Sequence, residues 1–440
     1  MIDTIIKNAH IITMDDLCPV IDGGAVAIDG AKIVFVGNSI ELPPEYSTAK
    51  RVIDAHGDIV MPGLVNAHAH TAMCVMRGYA DDLELNKWLF EKIFPVEGRL
   101  TREAVLAGVR LGIAEMLASG TTSFSDMYSN EPNTAKIVAE TGIRASLSNG
   151  IIALGDGFRF ETDRATVETL ELIKTWHNYD GGRIRADASI HAEYTSTPDV
   201  WKRIGAIARE HGLITHIHLC ETKKEYDECK LRHGGLSPVE ALARYGVFNT
   251  PVLAAHGCYL SDDDIRILAD KGVSIAHCPV SNLKLASGIA NISKLVFSGV
   301  NVCLGTDGSA SNNSLDLFEE IKLAALLSKG TTLDPTRVNA RQALAFATVN
   351  GAKAQGREGV TGRIAASYDA DIIMLDTHSP AMQPLYDPCS SAVYSAKGSC
   401  VKLTMVRGRI LYENGEWKSI DVEKAMHNVN SVAVPIVRGQ

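Results

Sequence analysis

Met61-Pro62-Gly63-Leu64-Val65-Asn66-Ala67-His68-Ala69-His70 decides how this chain reads. Pro62-Gly63 interrupts the backbone, an apolar run follows, and the run closes on two histidines spaced i, i+2. On a β-strand such residues point to one face, so both imidazoles can reach one ion. Seven further apolar runs in the middle of the chain also end in a polar residue. They close on Asp126, Asn149, His191, His218, His256, His277 and Asp307, and the first run begins at Ile59. Helix-periodic segments lie between them at 103–119, 163–177, 198–211, 238–245, 261–270 and 314–328. Ser261-Asp262-Asp263-Asp264 places a capping residue and acids where a helix dipole favours them. Eight strand–helix units in about 310 residues predict an α/β fold, a (β/α)8 TIM barrel.

The two ends have a different texture. Ile5-Ile6-Lys7-Asn8-Ala9, Gly24-Ala25-Val26-Ala27-Ile28 and Ile33-Val34-Phe35-Val36-Gly37 read as short antiparallel strands broken by glycine. Ala370-Asp371-Ile372-Ile373-Met374-Leu375 and the run from Val401 to Gly408 repeat the pattern near the other end. The expected organisation is a small composite β-sandwich domain built from 1–57 and 368–440, flanking a barrel at 58–367.

Composition narrows the function. The chain has 440 residues, 46% of them apolar and 22% charged, which excludes a wholly disordered protein. A net charge of −9 with no basic block argues against a nucleic-acid partner. No apolar run reaches the roughly 18 residues of a membrane span, and Met1-Ile2-Asp3-Thr4 does not open a signal peptide. Nine cysteines without a Cys-x-x-Cys pair, from Cys18 to Cys400, suggest reduced thiols and a cytoplasmic protein.

A barrel gathers the C-terminal ends of its strands on one face. His68, His70, His191, His218, His256, His277 and Asp307 therefore converge, although taken singly each is more often a hydrogen-bonded core residue or a cap. His216-Ile217-His218 is a second His-x-His, in which one histidine can serve packing alone. His68, His70, His218 and Asp307 together form a three-imidazole, one-carboxylate ligand set. That set suits one Zn2+ ion, with Fe2+ or another divalent ion as the alternative, and an open position for water.

The PGLVNAHAH run, the HLCE run at 218–221, AAHGCYLS around His256 and GTDGSASNNSLDLFEE from Gly305 resemble the amidohydrolase superfamily. They look most like its S-adenosylhomocysteine/methylthioadenosine deaminase branch, and residues 77–100 are similar to that branch's first barrel loop. The resemblance covers nearly the whole chain. It implies metal ligation by His68, His70, His218 and Asp307, and a proton-shuttling role for Glu221. His256 matches the histidine that holds the attacking water, Glu97 a carboxylate on the ribose hydroxyls, and His191 another nucleoside contact. Trp88, in the first loop, is a candidate base-stacking platform where packing is the commoner use of an indole. No lysine stands on the fourth strand, so one metal is expected rather than two. Several branch members carry Arg in a Leu-Ser-Arg-Gly motif where this chain has Leu147-Ser148-Asn149-Gly150, so Asn149 is the candidate contact to a substrate tail that stays open.

The resemblance thus implies hydrolytic deamination of an adenine nucleoside by a homo-oligomer, with neither nucleic acid nor membrane as partner. In it Glu221 protonates N1, water attacks C6, His256 fixes the water, and Asp307 moves the water proton to the departing ammonia. A second reading is a relative acting on guanine, a pterin or another N-heterocycle, or a triazine chlorohydrolase. A third, an inactive metal-binding scaffold, predicts loss of Glu221 or His256, and both are present. The other zinc-deaminase pattern fails because His191-Ala192-Glu193 is not followed by Pro-Cys-x-x-Cys. His-Glu-x-x-His, P-loop and Gly-x-Gly-x-x-Gly patterns are also absent.

Overall fold

The computed structural model describes residues 2–17, 19–46 and 48–440. Cys18, one of the nine thiols, lies outside them; eight described cysteines are free.

Two five-stranded parallel sheets form the middle of the chain. One contains Leu64–His70, Thr121–Tyr128, Arg144–Asn149 and Ile184–Ala186, with Asp307–Gly308 added beside Leu64–His70. The other runs Ala188–Ala192, Thr215–Leu219, Val252–His256, Ser274–His277 and Asn301–Leu304. The fourth and eighth runs are thus each divided between the two sheets. Asp187 breaks the fourth, its N–H donating back to the Leu147 carbonyl at 2.8 Å. A parallel bridge between Ile151 and Ile190 spans the same junction. Leu64–His70 is buried along its whole length, as parallel strands are when both faces are covered.

The apolar run from Ile59 is two strands, not one. Ile59–Pro62 belongs to the terminal sheet and pairs with Ile2–Ile12 and Ile372–Leu375. Gly63 marks the boundary, because a Cβ there would lie 2.1 Å from Thr122 Cγ2. Five of the six helical segments fall within a residue or two of their expected limits, among them Arg102–Ala118, Pro198–His211 and Asp262–Asp270. The sixth begins later and runs on as Leu317–Thr332. Ser261 and Asp264 form a capping box at the start of Asp262–Asp270. Glu131–Thr141 and Lys223–Arg232 are additional; the second buries only Glu225 and Cys229, so no apolar stripe announces it.

Strands from both ends share one nine-stranded sheet. Ile2–Ile12 is antiparallel to Val20–Asp29 but parallel to Ala49–Asp54 and Ile59–Pro62, which corrects the purely antiparallel expectation. Ile6, Ile11 and Val26 pack with Ile372, Leu403 and Met405 in one cluster. The tail beyond 420 is helical rather than strand-like: Val422–Asn428 and Val434–Arg438 bracket a π-helical turn. Buried Arg144 donates to Asp369 and Asp371, both at 2.8 Å, and joins a parallel strand to the entry of the terminal sheet. Among the described residues, no helix is long and apolar enough to cross a membrane.

Candidate active site

Three strands, Leu64–His70, Thr215–Leu219 and Asp307–Gly308, bring His68, His70, His218 and Asp307 together, with donor atoms all within 4.8 Å of one another. His70 Nε2 lies 3.1 Å and His68 Nε2 3.5 Å from Asp307 Oδ1. His70 Nε2 and His218 Nε2 are 3.2 Å apart.

Hydrogen bonds decide what those nitrogens carry. His70 Nδ1 donates to the Met127 carbonyl at 2.5 Å, and His218 Nδ1 to the His191 carbonyl at 2.7 Å. A carbonyl only accepts, so each Nδ1 bears the proton and each neutral ring presents a bare Nε2 lone pair. Two lone pairs at 3.2 Å beside a carboxylate repel unless a cation lies among them. His68 Nε2, fully buried, has no hydrogen-bond partner at all. A divalent cation satisfies this donor set, and imidazole with carboxylate is the chemistry it selects. Without that cation a proton takes up part of the charge. Burial opposes it, but the hydrogen bond and charge of Asp307 prevail and push His70 up to about 9.

Asp307 is held from behind. Its Oδ2 accepts from Ser281 Oγ at 2.6 Å and Ser311 Oγ at 2.9 Å, which leaves Oδ1 facing the imidazoles. Although burial pushes its pKa up, the adjacent His68 and His70 imidazoles and the charge of His70 hold it well below the ordinary range. Asp307-Gly308 is not a plain turn: it pairs with Ala69 and His70, with Asp307 at φ 59°.

Glu221 follows the strand Thr215–Leu219 through Cys220 at φ 52°. It does not serve the helix start, because Thr222 and Glu225 form the capping box there. Glu225 accepts from the N–H groups of Cys220 at 2.9 Å and Glu221 at 2.7 Å, locking the turn that aims Glu221 inward. Burial raises the Glu221 pKa against the lowering effects of His256 and of Ser287, whose hydroxyl donates at 2.8 Å. His256 Nε2 is 3.6 Å from Glu221 Oε2, and its Nδ1 donates to Asn282 Oδ1 at 2.8 Å. The arrangement therefore offers an acid, Glu221, and an acceptor, His256 Nε2, beside one cation-binding group.

These residues open into a cavity of about 250 Å³. His70, His218, Asp307, Glu221 and His256 line its floor, with Glu97, Trp88 and His191 around it. Trp88 is almost fully buried in a cluster with Met73, Leu89 and Ile93, so its indole packs on one side and lines the cavity on the other. Burial raises the Glu97 pKa, opposed by the Tyr128 hydroxyl. His191 is lowered to about 3 by burial and by the charge of His70.

Asn149 does not line this cavity. Its Oδ1 faces the Glu131 N–H at 3.5 Å, because strand alternation turns it away. Arg164, which no sequence pattern singled out, is a cavity-lining cation instead, its guanidinium bonded to Glu168 and Asn130. His277 is buried outside the cavity lining, with neither ring nitrogen hydrogen-bonded. Ser281, Ser287, Asn282, Ser311 and Glu225 were also missed. Only Glu225 had a legible signal, the Thr222-x-x-Glu225 capping pattern.

Residues 59–411 match the family described as Amidohydrolase family. The chain is 43% identical over 434 residues to the 5-methylthioadenosine/S-adenosylhomocysteine deaminase of Acetivibrio thermocellus, covering 99% of each. It is 45% identical over 437 residues to the 5'-deoxyadenosine deaminase of Methanosarcina mazei, again covering 99% of each. Among solved structures it is similar to an adenosine deaminase from Xanthomonas campestris with bound zinc. That match has a TM-score of 0.94 and 31% identity and covers 100% of this chain and 99% of that one.

Proposed function

The chain belongs to the amidohydrolase family, and from that premise we propose that it is a zinc-dependent hydrolytic deaminase of adenine nucleosides. One observation carries the reading: Glu221 and His256 face the His68, His70, His218 and Asp307 group in the cavity that Glu97 also lines. The full-length relatives are named for methylthioadenosine, S-adenosylhomocysteine and 5'-deoxyadenosine, which share an adenine and a ribose.

His68, His70, His218 and Asp307 would hold zinc, which lowers the pKa of a water molecule and makes it nucleophilic near neutral pH. The residues supply the rest. Glu221, whose pKa burial raises, gives its proton to adenine N1 and makes C6 electrophilic. His256 Nε2 accepts a hydrogen bond from the attacking water, since Asn282 keeps the ring proton on Nδ1. As the water oxygen bonds to C6, Asp307 takes one of its protons and passes it to the amine. The C6–N bond then breaks, ammonia leaves, and Glu221 recovers a proton from the C6 hydroxyl as the ring becomes the oxo form. Glu97 accepts hydrogen bonds from the two ribose hydroxyls, Trp88 and His191 enclose the nucleoside, and Arg164 bounds the cavity.

An ammonia-release screen over adenosine, 5'-deoxyadenosine, methylthioadenosine, S-adenosylhomocysteine, adenine, guanine, pterins and chlorotriazines tests the reading. Nucleosides are expected to lead; a preference for guanine, a pterin or a chlorotriazine refutes it.

The two parallel sheets are read as one (β/α)8 barrel over 58–367, supported by the Ile151–Ile190 bridge and by Asp307–Gly308 against Leu64–His70. The nine-stranded sheet, forked at Ile2–Ile12, is read as a composite β-domain of 1–57 and 368–440 that also takes in Ile59–Pro62, folded into two layers. A cytoplasmic homo-oligomer completes the reading; the free thiols support the first part of it.

A further inference from the structure

His68 differs from the other two histidines of the group in what holds it. His70 and His218 each place Nδ1 on a backbone carbonyl, whereas His68 Nδ1 meets another imidazole, His216 Nε2, at 2.8 Å. We propose that His216 is a positioning residue that keeps the proton on His68 Nδ1 and so leaves His68 Nε2 free to bind the metal. This rests on the reading of the four-residue group as a divalent-cation site.

A carbonyl can only accept, so it sets the tautomer of its histidine unaided. An imidazole can donate or accept, so His216 must itself be oriented before it can orient His68. Ser148 does this. Its hydroxyl donates to the Asp126 carbonyl at 2.9 Å, which leaves its oxygen as an acceptor for His216 Nδ1 at 3.5 Å. The proton of His216 therefore sits on Nδ1, its Nε2 is bare, and His68 Nδ1 donates to it. Every proton in the chain His68, His216, Ser148, Asp126 points away from the metal side. All four residues are fully buried, so water does not compete for these bonds. Thr215–Leu219 thus contributes twice. His218 supplies a ligand, and His216, two residues earlier on the same face, supports a ligand from Leu64–His70.

Partners of this kind are worth roughly 10–100-fold in metal affinity. The test measures zinc affinity by competition with a chromophoric chelator in the wild type, His216→Leu, His216→Gln and Ser148→Ala, with thermal melts of each. His216→Leu removes the acceptor at similar volume and is expected to weaken zinc by about 10–100-fold. His216→Gln restores an acceptor oxygen and should recover most of the loss, while Ser148→Ala loses less than His216→Leu. A folded His216→Leu that binds zinc as tightly as the wild type overturns the inference. Equal losses in the Leu and Gln variants overturn it too, since they reduce His216 to packing. A wild type that binds no zinc overturns the underlying metal reading, and this inference with it.

Discussion

Ser287 Oγ donates a 2.8 Å hydrogen bond to Glu221 Oε1, so the carboxyl proposed as the acid is held by a hydroxyl from the segment after the strand Ser274–His277. That bond favours the ionised carboxylate and restrains a pKa that burial has raised. Ser287→Ala removes the restraint, and the Glu221 pKa rises further. A raised carboxyl pKa keeps the proton to higher pH, so the alkaline limb that Glu221 governs in the kcat profile should move upward. The acid is also weaker and less well aimed. A hydrogen bond to a charged group is worth about 1.5–3 kcal/mol, so kcat should fall roughly tenfold or more. A pH–rate profile of the variant measures both effects, and an unmoved limb contradicts the role given to Ser287.

Glu221→Gln keeps the shape of the side chain but cannot hand over and recover a proton. Positioned acid–base groups contribute about 10²–10⁴ in rate, and turnover should fall by that order while zinc content and melting temperature stay near wild type. Near-normal turnover would take Glu221 out of the chemistry.

Glu97 predicts discrimination by the ribose. If this half-buried carboxylate pairs with two hydroxyls, analogues that lack them are rejected by as much as about 10⁴–10⁵. The kcat/KM for adenosine should exceed that for adenine greatly. Glu97→Ala should damage nucleoside turnover far more than residual turnover of the free base. Parallel losses for both substrates would assign Glu97 to folding instead.

Metal analysis of the purified protein should find one divalent ion per chain, since His68, His70, His218 and Asp307 make one closely spaced group. Removing it with a chelator should abolish turnover, and zinc should restore it. Two tightly held ions, or activity that survives chelation, would break the mononuclear reading.

Gly305 lies against the strand Leu64–His70. A Cβ there would stand 2.7 Å from His68 Cβ and 2.8 Å from its carbonyl oxygen. Gly305→Ala must push the two strands apart, at about 1–3 kcal/mol for overpacking. A lower melting temperature together with weaker zinc binding is expected. A stable variant with unchanged zinc affinity would mean that His68 tolerates the shift.

The parallel strands and their polar ends were legible because parallel strands buried on both faces spell near-continuous apolar runs. His68 and His70 were legible because a two-residue spacing on a strand has one geometric meaning. The helix Lys223–Arg232 was hidden, since it buries too little to show a stripe, and the terminal helices were hidden behind a strand-like stretch.

What the local sequence by itself determined is the periodicity of each element and the residue types at its ends, because both depend on neighbours a few positions apart. Only the tertiary structure decided which polar ends face the cavity and what holds each one. Asn149 turns to Glu131 while Arg164 lines the cavity. Ser281 and Ser311 load one oxygen of Asp307, and His216 lies behind His68 across 148 positions of chain. Such contacts join residues far apart in sequence through single short-range bonds, and no local pattern encodes a bond whose partner is placed by the closing of the fold.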